Sequence, residues 1–428
     1  MVSNATTLET LDIAISNIEG PISNVESGKL CNLQDLYLTQ NKLNGDISRV
    51  VEGLSNCSNT TLEFLGLAGN WLTGQFPNSL GHLKNLRILS ISFNQISGTI
   101  PTSIEQLSRL HQLKFLAISC GERFSVNLSS EWIPPFSLTY IEIRKCAFGS
   151  KLPTWLKTQK QLHTNILSNG SVSDSIPPGL WTMCSQLQFL DLSDNEIGGN
   201  LPRLVNFPSS QIWTADFYSS YSDGVVVDLS SNSFHGLLPL WPNVTHLNLA
   251  NNLFSGLIPI NIGHVMTKLQ VLDLSGNTFT GSIPYSITRV KQLMRLDLSD
   301  NHFSGKIPDW SVSLGHSEFI LEPIIRKNSR GHRSMQQLET LDLSSNHLSG
   351  SIPLSMTSIT TLSYLNLSYN NLGGPIPSKN QFGTFTNPSS FECNPELSGK
   401  PLITDCSPPR KRDLKKIEEE DDDERLWF

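Results

Sequence analysis

Leu269–Pro308 reads LQVLDLSGNTFTGSIPYSITRVKQLMRLDLSDNHFSGKIP, and its two halves superimpose. Leu269, Leu272, Leu274, Asn277, Phe279, Gly281, Ile283 and Pro284 return as Leu293, Leu296, Leu298, Asn301, Phe303, Gly305, Ile307 and Pro308, a period of 24 residues. A fixed period decides a fold before any local signal does. The frame L-x-x-L-x-L-x-x-N-x-L-x-G-x-I-P also starts at Leu8, Leu33, Leu62, Leu86, Leu113, Leu138, Leu162, Leu187, Gly224, Val244, Leu338 and Leu362, which makes fourteen units.

Each position in the frame has a physical task. Leucines at offsets 0, 3 and 5 put apolar side chains on the inner side of a short strand, and offset 10 adds another where the chain turns. The asparagine at offset 8 closes the strand, where its amide can both donate to and accept from backbone groups that would otherwise be buried unpaired. The expected ladder is Asn41, Asn70, Asn94, Asn195, Asn232, Asn252, Asn277, Asn301, Asn346 and Asn370. The glycine permits a tight turn, and the proline fixes φ and starts an extended return. About eight residues remain before the next leucine, too few for a full α-helix. No unit can bury its apolar face alone, so stability comes from stacking. This leucine-rich repeat signature predicts a solenoid of the α/β horseshoe or superhelix class, with short parallel strands on the concave face and an irregular, 3-10-rich convex side.

Breaks in the rhythm set the organisation. Spacings of 24 to 29 hold over the first eight units, then 37 separate Leu187 from Gly224, 20 lead to Val244, and 45 separate Leu293 from Leu338. The expected plan is repeats 1–8 in residues 1–202, an aromatic excursion at 203–223 and repeats 9–12 at 224–308. A basic excursion at 309–337, repeats 13–14 at 338–377, a C-terminal cap at 378–409 and a charged tail at 410–428 follow. The first excursion carries Trp213, Phe217, Tyr218 and Tyr221; the second carries Arg326, Lys327, Arg330, His332 and Arg333. Long structureless segments are either functional or disordered. Ser16 and Cys146 replace the ladder asparagine, and Asn165 replaces a core leucine.

Composition fits this plan. Of 428 residues, 61 are leucine and 34 asparagine, and charged residues make up 16%. A net charge of -7 leaves no basic footprint for nucleic acid. Residues 410–425 hold 6 basic and 8 acidic side chains, so the rest carries -5. Seven cysteines, at 31, 57, 120, 146, 184, 393 and 406, include no C-x-x-C and no Cys/His cluster at zinc spacing, so neither metal nor cofactor is expected. The isolated repeat cysteines are expected to pack in the core, with one thiol left free by the odd count. There is no G-x-S-x-G, no Gly-rich phosphate loop and no kinase H-R-D or D-F-G, so no enzyme is expected. Asp191, Asp228, Asp273, Asp297 and Asp342 recur at one offset, and are expected to form a solvated strand face rather than a catalytic pair.

Offsets 1, 2, 4, 6 and 7 project onto the face opposite the core, where side chains vary without disturbing packing. The aromatic and charged candidates for ligand binding there are Tyr37, Phe64, Arg87, Phe93, Phe115, Tyr140, Glu142, Arg144, Lys145, Phe189, His246, Arg295 and Tyr364. Rigid aromatics and arginines are the usual interface anchors. Seven N-x-[ST] sequons, at Asn4, Asn56, Asn59, Asn127, Asn169, Asn243 and Asn366, point to a secreted history. Residues 1–30 lack a basic start followed by an apolar run, and no stretch reaches 18 apolar residues. A fragment of a longer secreted protein is therefore expected.

The L-x-G-x-I-P spacing, with N-L-G-G-P-I-P at Asn371–Pro377, N-Q-F-G-T-F at Asn380–Phe385 and N-P-S-S-F-E at Asn387–Glu392, resembles the ectodomain of plant leucine-rich repeat receptor-like proteins, the group related to the ethylene-inducing xylanase receptors. The resemblance covers residues 8–406. It implies a plasma-membrane protein facing outward, whose ectodomain binds a peptide, protein or glycan and signals through partner receptor kinases, with the last repeats, from Leu338 and Leu362, facing a co-receptor. Glu418–Glu424 then resembles the acidic juxtamembrane stretch, and Leu426, Trp427 and Phe428 the start of a membrane helix missing from this chain. The family's paired-cysteine cap implies a Cys393–Cys406 disulfide, although Cys393 and Ser398 depart from its pattern; the N-terminal cysteine cap has no counterpart. Two other readings share the repeat: a secreted inhibitor resembling polygalacturonase-inhibiting proteins, and a non-functional truncated paralogue.

Overall fold

The computed structural model describes residues 7–22, 30–57, 60–97, 99–100, 107–120, 125–126, 132–147, 149–209, 224–310 and 337–402. The aromatics Trp213, Phe217, Tyr218 and Tyr221, the basic residues Arg326, Lys327, Arg330, His332 and Arg333, the acidic run from Glu418 and the terminal Leu426, Trp427 and Phe428 lie outside them. The chain divides into two compact units: Met1–Gly199 with Val205–Ile212 and Val227–Phe234, and Asn200–Leu204 with Trp213–Val226 and His235–Phe428.

In the first unit the strands Thr10–Asp12, Asp35–Tyr37, Phe64–Gly66, Ile88–Ser90, Phe115–Ser119, Tyr140–Arg144, Thr164–Ser168 and Phe189–Asp191 follow one another in a parallel sheet. In the second, Val244–Asn248, Val271–Asp273, Arg295–Asp297, Thr340–Asp342 and Tyr364–Asn366 do the same. Register aligns equivalent offsets, so each strand's central leucine pairs with the next: Leu36 with Leu65, Leu272 with Leu296, Leu341 with Leu365. These leucines are buried and form the core with the offset-10 residues. In the second unit Phe254, Phe279 and Phe303 stack in near-parallel pairs 6.2 and 6.1 Å apart. Behind the core, second parallel sheets run through Glu19–Pro21, Lys42–Asp46 and Trp71–Thr73, and through Leu253–Gly256, Thr278–Gly281, His302–Gly305, His347–Gly350, Asn371–Pro375 and Glu396–Ser398. Pro77, Pro153, Pro284 and Pro353 each lead directly into a five-residue 3-10 turn.

One outer connection departs from expectation. Ile47–Ser55 is an α-helix of nine residues, made possible because its unit is 29 long, the widest spacing in the early array. Asp46 caps it by accepting the Ser48 N–H, and Ile47, Val50, Val51 and Leu54 bury one face.

The asparagines at offset 8 tie each coil to the one before it. Asn277 accepts the Phe254 N–H at 3.0 Å, while its amide nitrogen reaches the carbonyls of Leu249, Leu274 and Ser275 at 2.9–3.1 Å. Asn41, Asn70, Asn94, Asn195, Asn232, Asn301, Asn346 and Asn370 make equivalent sets, and Asn252 donates to Leu249 and Ala250. Asn394 continues the ladder, accepting from Leu372 and donating to Leu367, so residues assigned to the cap stack as another coil around buried Phe391. The left-handed residue at offset 7 is as regular: Gly69, Asn169, Asp194, Ser231, Asn251, Gly276, Asp300 and Ser345 all have φ between 49° and 66°.

Three successive coils lack the ladder residue, with Gly121, Cys146 and Gly170 in its place. Other links replace it. The Phe93 N–H donates to the Ser119 hydroxyl, a disulfide joins Cys120 to Cys146 with Cα atoms 5.1 Å apart, and Arg144 donates to the Ser168 hydroxyl at 3.0 Å. Phe115–Ser119, Tyr140–Arg144 and Thr164–Ser168 also pair over five residues instead of three. A second disulfide joins Cys31 to Cys57. The expectation that the isolated repeat cysteines serve only as core packing is thus corrected for four of them: each pair is 26 residues apart, which brings the two cysteines together from neighbouring coils. Cys184 is buried outside any disulfide, and burial pushes its thiol up to about 12. Cys406 lies outside the described residues.

The same residue type has opposite effects at two offsets. Asn165 stands in the leucine row between Ile141 and Leu190, wholly buried, with neither amide atom hydrogen-bonded. Because an unpaired buried polar group costs about 1–3 kcal/mol, Asn165→Leu is expected to stabilise the protein by about that amount. Asn277→Ala, which orphans buried backbone groups in two coils, is expected to destabilise it by about 2–4 kcal/mol. Urea unfolding of the two variants checks both signs; a destabilised Asn165→Leu would overturn the first.

Candidate functional site

Five of the inner strands run into D-L-S, which shapes the candidate surface there. Asp191, Asp228, Asp273, Asp297 and Asp342 each accept from both the backbone N–H and the hydroxyl of the serine two residues on, with hydroxyl bonds of 2.6–2.7 Å. They lock the turn into the left-handed residue. Asp191, Asp228 and Asp342 are also buried, which corrects the expectation of a solvated face: neighbouring side chains in register shield them.

In the first unit the candidates fall into two groups. Tyr37 lies against buried Phe64, rings 4.1 Å apart, and Phe64 covers Gly66, where a Cβ would sit 2.7 Å from the ring. Phe115 and Tyr140 stack 4.0 Å apart and are buried. The Tyr140 hydroxyl donates to Glu142 at 2.6 Å; Arg144 binds Glu142 at 3.2 Å and Asp191 at 3.1 Å. Burial alone would lower the Arg144 pKa, but the charges of Asp191 and Glu142 outweigh it and hold the guanidinium charged. These residues form a closed network rather than an open recognition set. Phe189 is half-buried. The others are accessible: Arg87, paired at the surface with Glu63 at 3.3 Å, Phe93, 61% exposed, and Lys145.

In the second unit, Asp273, Asp297 and Asp342 stand in register on adjacent strands, followed by Asn366. Arg295 approaches Asp273 at 3.4 Å and Asp297 at 3.9 Å. Tyr364, 49% exposed, donates to Asp342 at 3.2 Å, and Asn366 donates to the same oxygen at 3.1 Å. Burial first, then the Asp273 charge, raises Asp297 to about 6. His246 is half-buried beside Thr245 at 3.0 Å, and its burial lowers its pKa.

Among the described residues no group of three or more His, Cys, Asp or Glu side chains is placed to hold a metal ion, and no helix is long and apolar enough to cross a membrane. Of the sequon asparagines, Asn56 and Asn169 are exposed and Asn243 and Asn366 half-buried, while Asn4, Asn59 and Asn127 lie outside the described residues. Sequence reasoning missed the aspartate turns and the two disulfides. Both were detectable: D-L-S recurs in phase, and Cys120 and Cys146 fall in consecutive units of the frame.

Three family models match the chain: "Leucine-rich repeat region" over residues 2–205, "Leucine rich repeat" over 242–303, and "Leucine Rich Repeat" over 337–359 and 361–382. The chain is similar to Receptor-like protein EIX2 of Solanum lycopersicum, 33% identical over 44% of this chain and 17% of the relative. It is also similar to Receptor-like protein 18 of Arabidopsis thaliana, 26% identical over 83% of this chain and 40% of the relative. It thus spans well under half the length of either. Among solved structures it resembles the plant peptide hormone receptor RGFR1 in complex with RGF2, with TM-score 0.63, 26% identity, and 91% of this chain and 59% of that one covered. The Arabidopsis receptor kinase HAESA in complex with the peptide hormone IDA and the co-receptor SERK1 gives TM-score 0.57, 26% identity, and 92% and 66% coverage.

Two consequences are measurable. A carboxyl held at about 6 when folded, against an ordinary 3.8, binds a proton that the unfolded chain has already released between those values. As far as Asp297 is concerned, stability therefore rises as pH falls from 7 towards 4. Asp297→Asn, which can keep the turn as Asn366 does with Ser368, is expected to stabilise the protein at pH 7 by up to about 3 kcal/mol and to flatten its thermal stability between pH 4 and 7. Arg144→Ala leaves Glu142 and Asp191 unpaired, and is expected to cost about 3 kcal/mol in urea unfolding.

Proposed function

The chain belongs to the leucine-rich repeat family and is similar to plant receptor-like proteins, and from that premise we propose that it is the ligand-recognition part of a plant cell-surface receptor-like protein. It binds a peptide, protein or glycan non-covalently and signals through partner receptor kinases. The observation that supports this most is the division of labour within each coil. Leucine and asparagine are fixed by packing, and in five coils the D-L-S turn occupies offsets 4 and 6, while offsets 2 and 7 carry Phe93, Lys145, Arg295 or Tyr364 on a sheet that can present them without rearranging.

A peptide is the favoured ligand class, since similar ectodomains are described in complex with peptide hormones. The co-receptor surface is assigned to the last repeats, from Leu338 and Leu362, which continue through the Asn394 coil. The placement is at the plasma membrane, outward-facing, with glycans on exposed sequons such as Asn56 and Asn169 and a Cys393–Cys406 disulfide at the end of the array.

The test is association. The purified chain is mixed with candidate secreted peptides and soluble ectodomains of partner kinases, and complex formation is followed by size-exclusion chromatography and surface plasmon resonance. At least one peptide is expected to bring chain and co-receptor together, and Tyr364→Ala is expected to weaken that complex about tenfold. Pectinase inhibition without any co-receptor association would replace this reading with that of a secreted inhibitor.

A further inference from the structure

The outer parallel sheet of the first unit carries a side chain out of keeping with its position. Leu43, Leu72 and Ile96 turn inward and are buried, while Asn44, Trp71, Thr73, Gln75, Gln95 and Ser97 alternate with them and are exposed. Offset 9 holds a polar or charged residue in most units, and Trp71 is the one tryptophan at that offset in the chain. It is 50% exposed, and its ring stacks on no other ring among the described residues.

Register places Asn44 directly beside Trp71. The ladder continues into the next coil, where the Gln95 N–H donates to the Leu72 carbonyl and the Ser97 N–H to that of Gly74. Ser97 lies beside Gln75, and Gln95, two residues earlier, beside Thr73 and diagonal to the indole. The side-chain amides of Asn44, Gln75 and Gln95 have no hydrogen-bond partner among the described residues. The charged side chains of the central outer strand are already engaged: Lys42 pairs with Glu19 at 2.9 Å, and Asp46 accepts the Ser48 N–H at 2.8 Å. What remains is a flat, uncharged surface of about 9.6 Å by about 13 Å, two strand steps by four residues, with one aromatic plate among unbonded amides.

That combination selects a ligand by exclusion as well as by fit. A charged peptide finds no counter-charge, and an apolar helix meets amides and hydroxyls around a single indole. A sugar ring offers both complements: a face of C–H groups that packs on the electron-rich indole, and edge hydroxyls that donate and accept as primary amides do. We propose that the outer sheet around Trp71 is a binding site for a neutral oligosaccharide, with a sugar ring stacked on the indole and its edge hydroxyls bonded to Asn44 and Gln95. The site lies across the leucine core from the inner strands, so it anchors the protein to a neutral glycan while leaving the inner face open. It does not depend on the receptor reading above.

The probes are cellohexaose, xylohexaose and mannohexaose as neutral chains and hexagalacturonate as a charged one. Each is titrated calorimetrically into the whole purified chain and into Trp71→Ala, Trp71→Phe and the double variant Asn44→Ala/Gln95→Ala. At least one neutral probe is expected to bind, about tenfold more weakly to Trp71→Ala and to the double variant, with Trp71→Phe retaining most of the affinity because it keeps an aromatic face. All three variants are expected to melt within about 2 °C of the parent, since the side chains are exposed. Binding of none of the neutral probes, tighter binding of hexagalacturonate, or unchanged binding by Trp71→Ala would each overturn the proposal. Weaker binding together with a clearly lower melting temperature would mean that Trp71 supports the fold, and would overturn it too. Self-association of the parent that Trp71→Ala abolishes, seen by sedimentation velocity without sugar binding, would make this face an interface between copies instead. None of these outcomes bears on the peptide and co-receptor association that tests the receptor reading.

Discussion

Everything in this fold depends on one side chain having both a donor and an acceptor at the end of a short strand. A three-residue strand leaves backbone groups unpaired where the chain turns away, and burying them unpaired costs about as much as the strand gains. Asparagine at offset 8 solves this for two coils at once: its oxygen takes an N–H from the coil before, and its nitrogen reaches carbonyls in both. Serine is too short and aspartate has no donor. The leucine rows supply most of the free energy, but they would allow coils to slide. The amide fixes register, and register aligns the leucines.

Where the ladder fails, its substitutes show what it provides. Across Gly121, Cys146 and Gly170 the chain uses longer strands, a disulfide and an arginine joined to Ser168. None of these is as local as one amide, and each changes the exposed face. Tyr140, Glu142, Arg144 and Asp191 become internal cross-links, and the turns beside them carry Phe93 and Lys145.

The fold was legible because its signal is periodic. Leu272 and Leu296 announce a strand, Asn277 and Asn301 its end, and Pro284 the return, and the structure places each there. The site was legible only as a set of offsets. Phe115, Tyr140, Glu142 and Arg144 project from the correct face, yet their neighbours bury or pair them, and exposure depends on side chains one or two coils away that no single unit reveals. Asp297 shows the same limit. One aspartate per coil looks solvated in sequence, but register stacks it on Asp273 and Asp342.

Position within the frame therefore says more about function than residue type does. A tyrosine at offset 2 whose hydroxyl is bound to Glu142 is part of the scaffold; one at the same offset with half its surface open, Tyr364, can meet a partner. The aspartate turns sharpen the distinction, since each leads into a left-handed Asp, Ser or Gly, residue types that tolerate that conformation. The array nevertheless holds bulkier residues left-handed at that point in other coils, at Ile15, Gln40, Phe93, Lys145 and Tyr369. A repeat protein built on one repeated constraint can present unusual side chains at defined spacings, and spacing along the array is what an extended ligand can read.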